Sequence, residues 1–233
     1  MRWGIIAAEE GEVALLKELL DNVEVREYAS RKYFSGNYGT ASVTVVQCGV
    51  GKVCAAMGTQ ILIDVYHVDA IINTGVAGAL KDFLSVGDVV ISTKTVQHDF
   101  DLRPFGYKKG CLGEWTESKE PTYFEADAGL RELFSKTAEK YHLITAEGII
   151  ASGDVFVDSK ELKREMVTLF DACAAEMEGA AVAHVASANH IPFLIIRAIS
   201  DTADGGTDSY EAVRVTIMEA FVKIIAAMIG LEE

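Results

Sequence analysis

Two glutamates, Glu176 and Glu178, stand two residues apart inside the otherwise apolar run AAEMEGAAVAHVA. A carboxylate taken out of water costs several kcal/mol unless it is paired or hydrogen-bonded. The run reads as a packed helix start, where an acidic residue is also favoured by the macrodipole. The pair does not stand alone. Glu9, Glu10 and Glu12 follow the apolar WGIIAA, Asp201 closes IIRAISD, and TGVAG and ASGDVF each follow an apolar run. Carboxylates at the ends of several apolar segments are candidates for acid–base or charge-stabilising chemistry, and together they mark an active site better than any one of them.

The elements that must carry these groups follow from periodicity. WGIIAA predicts a buried strand and EEGEVALLKELL an amphipathic helix with Val13, Leu15, Leu16, Leu19 and Leu20 inward. EVREYA, KYFSGNY and ASVTVVQCG alternate with turn signals like strands of a meander. A helix in GKVCAAMGTQILIDVYH and strands in DAIINTG and GDVVISTKTVQHDF come next, then a loop-like stretch from Asp99 to Pro121. The remainder predicts helix, strand, helix, the AAEMEG run, a strand in PFLIIRAISD and a long closing helix. Strands alternating with helices, several of them continuous apolar runs, predict an α/β fold with a largely parallel sheet covered on both faces. Ligands of such sheets bind beyond the carboxyl ends of the strands, where the acidic residues collect. No linker, repeat or low-complexity segment interrupts residues 1–233, so one domain is expected.

Composition narrows the function. A formal charge of −14 disfavours the nucleic-acid backbone and an anionic membrane surface, both of which need clustered cations. Cys48, Cys54, Cys111 and Cys173 form no CxxC pair and no metal spacing, as expected of reduced cysteines filling apolar space. The opening MRWGIIAAEEGEV has too short an apolar run for a signal peptide, and no run reaches the roughly eighteen apolar residues of a membrane span. The expectation is a cytoplasmic protein acting on a small molecule.

Familiar motifs fail on their spacing. CGVGKV has Val46 and Val53 where a phosphate loop needs Gly and Ser or Thr, and TGVAG lacks the dinucleotide spacing. Both read as tight strand-to-helix turns with backbone N–H groups able to face a ligand. His98 beside Asp99 and Asp101 has no second histidine at ligand spacing, so no metal site and no cofactor is expected.

GIIAAEEGEV, INTGVAG, SGDVFV, AAEMEGAAVAHVA and IRAISDTAD, in this order and spacing, closely resemble the purine nucleoside phosphorylase and uridine phosphorylase superfamily. Within it the chain is most similar to the bacterial 5'-methylthioadenosine/S-adenosylhomocysteine nucleosidases, from Met1 to the final helix. EME and RAISD carry the specificity; TGVAG is shared with the phosphorylases. The resemblance implies a three-layer αβα sandwich around a twisted, mostly parallel mixed sheet, and hydrolysis of an N-glycosidic bond to adenine.

That cleavage needs an acid for the purine N7, negative charge or oriented hydroxyl contacts near an oxocarbenium-like sugar, and a base for the attacking water, the logic of two carboxylates flanking a glycosidic bond. The resemblance makes Asp201 the acid, which must hold its proton near neutral pH, a state that burial favours, with Ser200 able to hydrogen-bond it. The alternative for Asp201 is an N-cap. Glu12 matches the base, its alternative being a first-turn glutamate on a surface helix. Glu178 matches the acceptor of the ribose hydroxyls and Met177 packs on the sugar, whereas Glu176 is left as a structural candidate. Phe156 is expected to stack on adenine, with the Val157 backbone reading the base edge. Gly78 would bring backbone close to the nucleoside. Arg197 would hold the water and Glu12, or else form a structural ion pair.

The resemblance also implies a homodimer in which Leu102 and Phe105, in FDLRPFGY, close the neighbouring subunit's 5'-pocket, and a place in methionine salvage. Glu9 stands where the family has Met, and Val76 replaces the Ser of TGSAG. Asn73 occupies a position that carries Arg in the phosphorylases, which leaves phosphate poorly provided for and favours hydrolysis. The rivals are a phosphorylase, a nucleosidase for another 5'-modified adenosine such as a futalosine derivative, and a non-catalytic nucleoside-binding module.

Overall fold

The computed structural model describes residues 1–8, 10–113, 115–203 and 210–230, without the side chains of Glu10, Glu12 and residues 210–218. In chain order the elements are β1 (Arg2–Ala7), α1 (Glu10–Glu18), β2 (Asp21–Tyr28), β3 (Arg31–Tyr38), β4 (Ala41–Gln47), α2 (Lys52–Asp64), β5 (Ala70–Asn73) and β6 (Val76–Ala79). There follow β7 (Val89–Gln97), a 3-10 turn at Arg103–Phe105, β8 (Phe124–Glu125), α3 (Ala128–Lys140), β9 (Thr145–Ser152), α4 (Lys160–Phe170), β10 (Ala172–Glu176), α5 (Gly179–Ala188), β11 (Phe193–Asp201) and α6 (Tyr210–Gly230).

The strands form one mixed sheet in the order β2-β3-β4-β1-β5-β11-β6-β10-β9-β7-β8. The continuous apolar runs of β1 and β11 are buried strands, as expected, and lie in the middle of the sheet. Trp3 to Ala7 are buried between β4 and β5, and every residue of β11 is buried. Strand β11 also pairs antiparallel with β7, so β11, β6, β10, β9 and β7 close into a small barrel at one end of the sheet. Helix α2 packs on α5, and α6 packs on both α1 and α3, with Phe134 and Phe221 edge to face at 6.4 Å. Each Ile or Leu fully buried in this way stabilises the fold by about 1.5–3 kcal/mol.

Caps fix two of the helix starts. Asp127 accepts from Leu130 N at 2.9 Å at the head of α3, and Ser159 accepts from Leu162 N at 3.3 Å at the head of α4. The AAEMEG run corrects expectation. Its first part is the strand β10, held between β6 and β9, and the helix begins only at Gly179. Alanines favour helix in isolation, but sheet pairing on both sides outweighs that preference here. TGVAG is likewise not a bare turn, since Val76 to Ala79 pair with β11 and β10.

Candidate active site

The carboxyl ends of β1, β5, β9, β10 and β11 surround a cavity of about 300 Å³. One wall is the β5–β6 segment from Thr74 to Gly78, another the β9–α4 loop from Val155 to Val157, and a third the turn Glu176–Met177–Glu178. Ala8, Val50, Ala175, Ser200 and Asp201 complete it. Of the residues singled out from sequence, Gly78, Phe156, Val157, Met177, Glu178, Ser200 and Asp201 all line this space.

Asp201 is 7% exposed at the end of β11. Its Oδ2 accepts from Ser200 Oγ at 2.8 Å and its Oδ1 from Ala203 N at 2.8 Å, so both oxygens are oriented. The register sets Asp201 opposite Gly78 on β6. A Cβ at position 78 would stand 2.8 Å from Asp201 Oδ1 and 2.9 Å from Ala203 Cβ, so only glycine leaves the carboxyl where it is.

Glu176 and Glu178 divide the labour of the EME turn. The Glu176 carboxylate is saturated, accepting from Glu178 N at 3.1 Å, Gly179 N at 2.8 Å, Arg197 Nε at 3.1 Å and the Ser152 hydroxyl. Arg197, 1% exposed, also donates to Asn73 Oδ1 at 2.6 Å and to the Asn73 and Ile196 carbonyls at 3.2 and 2.9 Å. A buried ion pair persists only when its remaining donors and acceptors are met, and here they are. Glu178 lines the cavity and accepts from Gly51 N at 2.8 Å. The structural candidate, Glu176, therefore builds the turn that presents Met177 and Glu178.

Arg197 lies behind the turn and not in the cavity lining. Phe105 stands 75% exposed on its 3-10 turn, also outside the lining. Glu12 falls within helix α1, its side chain lying outside the described residues, as does the whole of Glu9. The N–H groups of the CGVGKV turn, expected to face a ligand, are taken by protein carboxylates: Gly51 N by Glu178 and Lys52 N by Asp154 Oδ1 at 2.8 Å. Sequence reasoning missed Ser152, which donates to Glu176 and accepts from Ala180 N at 2.7 Å. Its position at the end of an apolar strand was the available signal.

Burial depresses the affinity of His98 and His184 for protons, so neither imidazole is an added cation near the cavity at neutral pH. The ionisable side chains that the lining contributes, among the described residues, are Glu176, Glu178 and Asp201, all of them acids. Glu176 is neutralised by Arg197, which leaves the surface acidic. Such a cavity suits an uncharged or cationic ligand with donors to offer, and it suits the stabilisation of a developing positive charge.

The family model described as Phosphorylase superfamily matches residues 2–230. A protein of Staphylococcus saprophyticus named 5'-methylthioadenosine/S-adenosylhomocysteine nucleosidase is 41% identical over 203 residues, 87% of each chain. The Helicobacter pylori nucleosidase of the same name, solved with butyl-thio-DADMe-Immucillin-A, superposes with a TM-score of 0.92 at 32% identity over 99% of this chain and 98% of that one. A native structure described as futalosine hydrolase, also from Helicobacter pylori, superposes with a TM-score of 0.92 at 32% identity over 99% and 97% of the two chains.

Proposed function

This chain belongs to the phosphorylase superfamily, and from that membership and the acidic lining of its cavity we infer that it is an N-glycosyl hydrolase. It cleaves 5'-methylthioadenosine and S-adenosylhomocysteine to adenine and the thioribose product, as the names of its relatives indicate for those proteins. The observation that carries hydrolysis over phosphorolysis is the charge of the lining: among the described residues it holds no Lys or Arg, so a phosphate dianion would meet the Glu178 carboxylate without a cation to offset it, whereas water and a ribosyl cation would not be repelled.

In this reading adenine lies against Phe156 and Val157 with its N7 toward Asp201. Asp201 delivers its proton to N7 as the N9–C1' bond breaks and the electron pair passes to the purine. Glu178 accepts from the ribose hydroxyls and its charge favours the oxocarbenium-like sugar. Glu12 takes a proton from the water that adds to C1', and that proton is later returned to Asp201 through solvent. Ser200 orients the acid, and Glu176 with Arg197 holds the turn. A second reading, cleavage of a futalosine derivative, is supported by the equally close superposition on the futalosine hydrolase structure.

We further propose a cytoplasmic homodimer whose 5'-pocket is completed by Leu102 and Phe105 of the partner. Cys48, Cys54, Cys111 and Cys173 form no disulfide among the described residues, which suits a reducing compartment, and the exposed Phe105 ring supports the dimer. A monomeric, fully active protein at about micromolar concentration would contradict the dimer. The activity itself is tested by chromatography of adenine released from methylthioadenosine, S-adenosylhomocysteine and a futalosine derivative: release from the first two supports the main reading, and release from the third alone supports the second.

A further inference from the structure

Two consecutive backbone N–H groups at the head of α2 hold two different walls of the cavity. Gly51 N bonds Glu178 Oε1 on the EME turn, and Lys52 N bonds Asp154 Oδ1 on the loop that carries Phe156 and Val157, both at 2.8 Å. Gly51 adopts φ +95°, and a Cβ there would stand 3.0 Å from Asp154 Oδ1, so the paired contact depends on glycine.

The Lys52 side chain fastens the same junction from the other direction. Its Nζ pairs with Asp99 Oδ1 at 2.6 Å, and Asp99 Oδ2 accepts from Asp154 N at 2.9 Å. Lys52 and Asp154 are thus joined twice, once directly and once through Asp99. Nζ also donates to Gln97 Oε1 at 3.2 Å, and the Gln97 amide meets His184 Nδ1 on α5 at 3.1 Å. Helix α5 is the one that begins at the EME turn, so this second arm returns to the first wall. Both members of the ion pair are shielded, with side chains 16% and 20% exposed. Burial raises the affinity of Asp99 for protons, yet the bonds from Lys52 and Asp154 N outweigh it and leave the carboxyl below its ordinary range.

We propose that Lys52, Asp99 and Asp154 are positioning residues that set the spacing between the base wall and the sugar wall of the cavity, and thereby the affinity for the purine half of the substrate. The proposal rests on the nucleosidase reading for what the walls bind. None of the three lines the cavity, so they act through Phe156, Val157 and Glu178 and not on the reacting atoms. Their loss therefore weakens binding more than it slows the chemical step.

The test uses the full chain as Lys52→Met, Asp99→Asn and Asp154→Ala, with Lys52→Arg to keep the charge. Asp154 is exposed, so its variant probes the junction even where the other two fail to fold. Adenine affinity is read by calorimetry and KM and kcat with methylthioadenosine. The expected result is adenine Kd and substrate KM raised about tenfold with kcat changed less than about threefold, and near wild-type behaviour for Lys52→Arg. Folded variants that bind adenine as the wild type does, or that lose kcat alone, overturn the clamp. A wild-type protein that neither binds adenine nor releases it overturns the nucleosidase reading instead, which separates the two failures.

Discussion

Asp201 Oδ1 lies so close over the backbone of Gly78 that a Cβ at that position would stand 2.8 Å from it. Gly78→Ala must therefore move the carboxyl, since backbone on β6 cannot yield while it pairs with β11 and β10. A displacement near 1 Å at a reacting group costs roughly 10²-fold. The expected result is kcat down by about tenfold to a hundredfold, with a lowered melting temperature because Ala203 Cβ, at 2.9 Å, must also give way. A fully active, folded Gly78→Ala variant would show that Asp201 does not act from this position.

Asp201→Asn keeps the shape of the site and removes the proton that the proposed mechanism transfers to N7. A well-placed acid contributes about 10²–10⁴-fold, and the loss belongs to kcat with substrate still bound. Glu12→Gln should behave in the same way for the base. Rapid-quench turnover together with equilibrium binding checks both, and a rate within a fewfold of wild type removes the residue concerned from the mechanism.

The Glu176–Arg197 pair predicts a stability phenotype. Arg197→Met leaves a nearly fully buried carboxylate without its cation and Asn73 without a donor. Removing one partner of a buried pair costs about 3–5 kcal/mol. Chemical denaturation of Arg197→Met should show a loss of this order, and the double variant with Glu176→Gln should recover part of it. A single variant as stable as the wild type would contradict the pairing.

His98 and His184 are held below the ordinary imidazole value of 6.5 by burial. Around His98, Asp99 and Glu176 oppose this shift while Lys52 and Lys109 add to it. The unfolded chain then binds protons that the folded chain refuses, so stability falls as pH drops from near 6.5 toward the folded values. Asp99, held below 3.8, contributes only in stronger acid. Melting temperatures between about pH 7 and about pH 5 should decline, and less steeply in the His98→Asn, His184→Gln double variant. Equal slopes in the two proteins would refute the assignment.

The acidic strand ends were legible because a carboxylate inside an apolar run has few explanations. Asp201 and Glu178 lie in the cavity for that reason. What the partners of these groups are was not legible, because contacts span long separations: Glu176 and Arg197 are 21 residues apart and meet across β6, and Lys52 reaches Asp154 over 102 residues. Strand β10 was hidden by its alanines, which periodicity alone cannot divide between strand and helix. The closure of β7 on β11 leaves no trace in local pattern, since an antiparallel pairing of two apolar strands reads like any buried strand.

The central claim is hydrolysis at an adenine nucleoside, and the measurement that tests it most directly is product identity with methylthioadenosine in phosphate-free buffer and again with phosphate added. The acidic cavity predicts adenine and free methylthioribose at the same rate in both. A reaction that starts only with phosphate and yields the sugar 1-phosphate would contradict it.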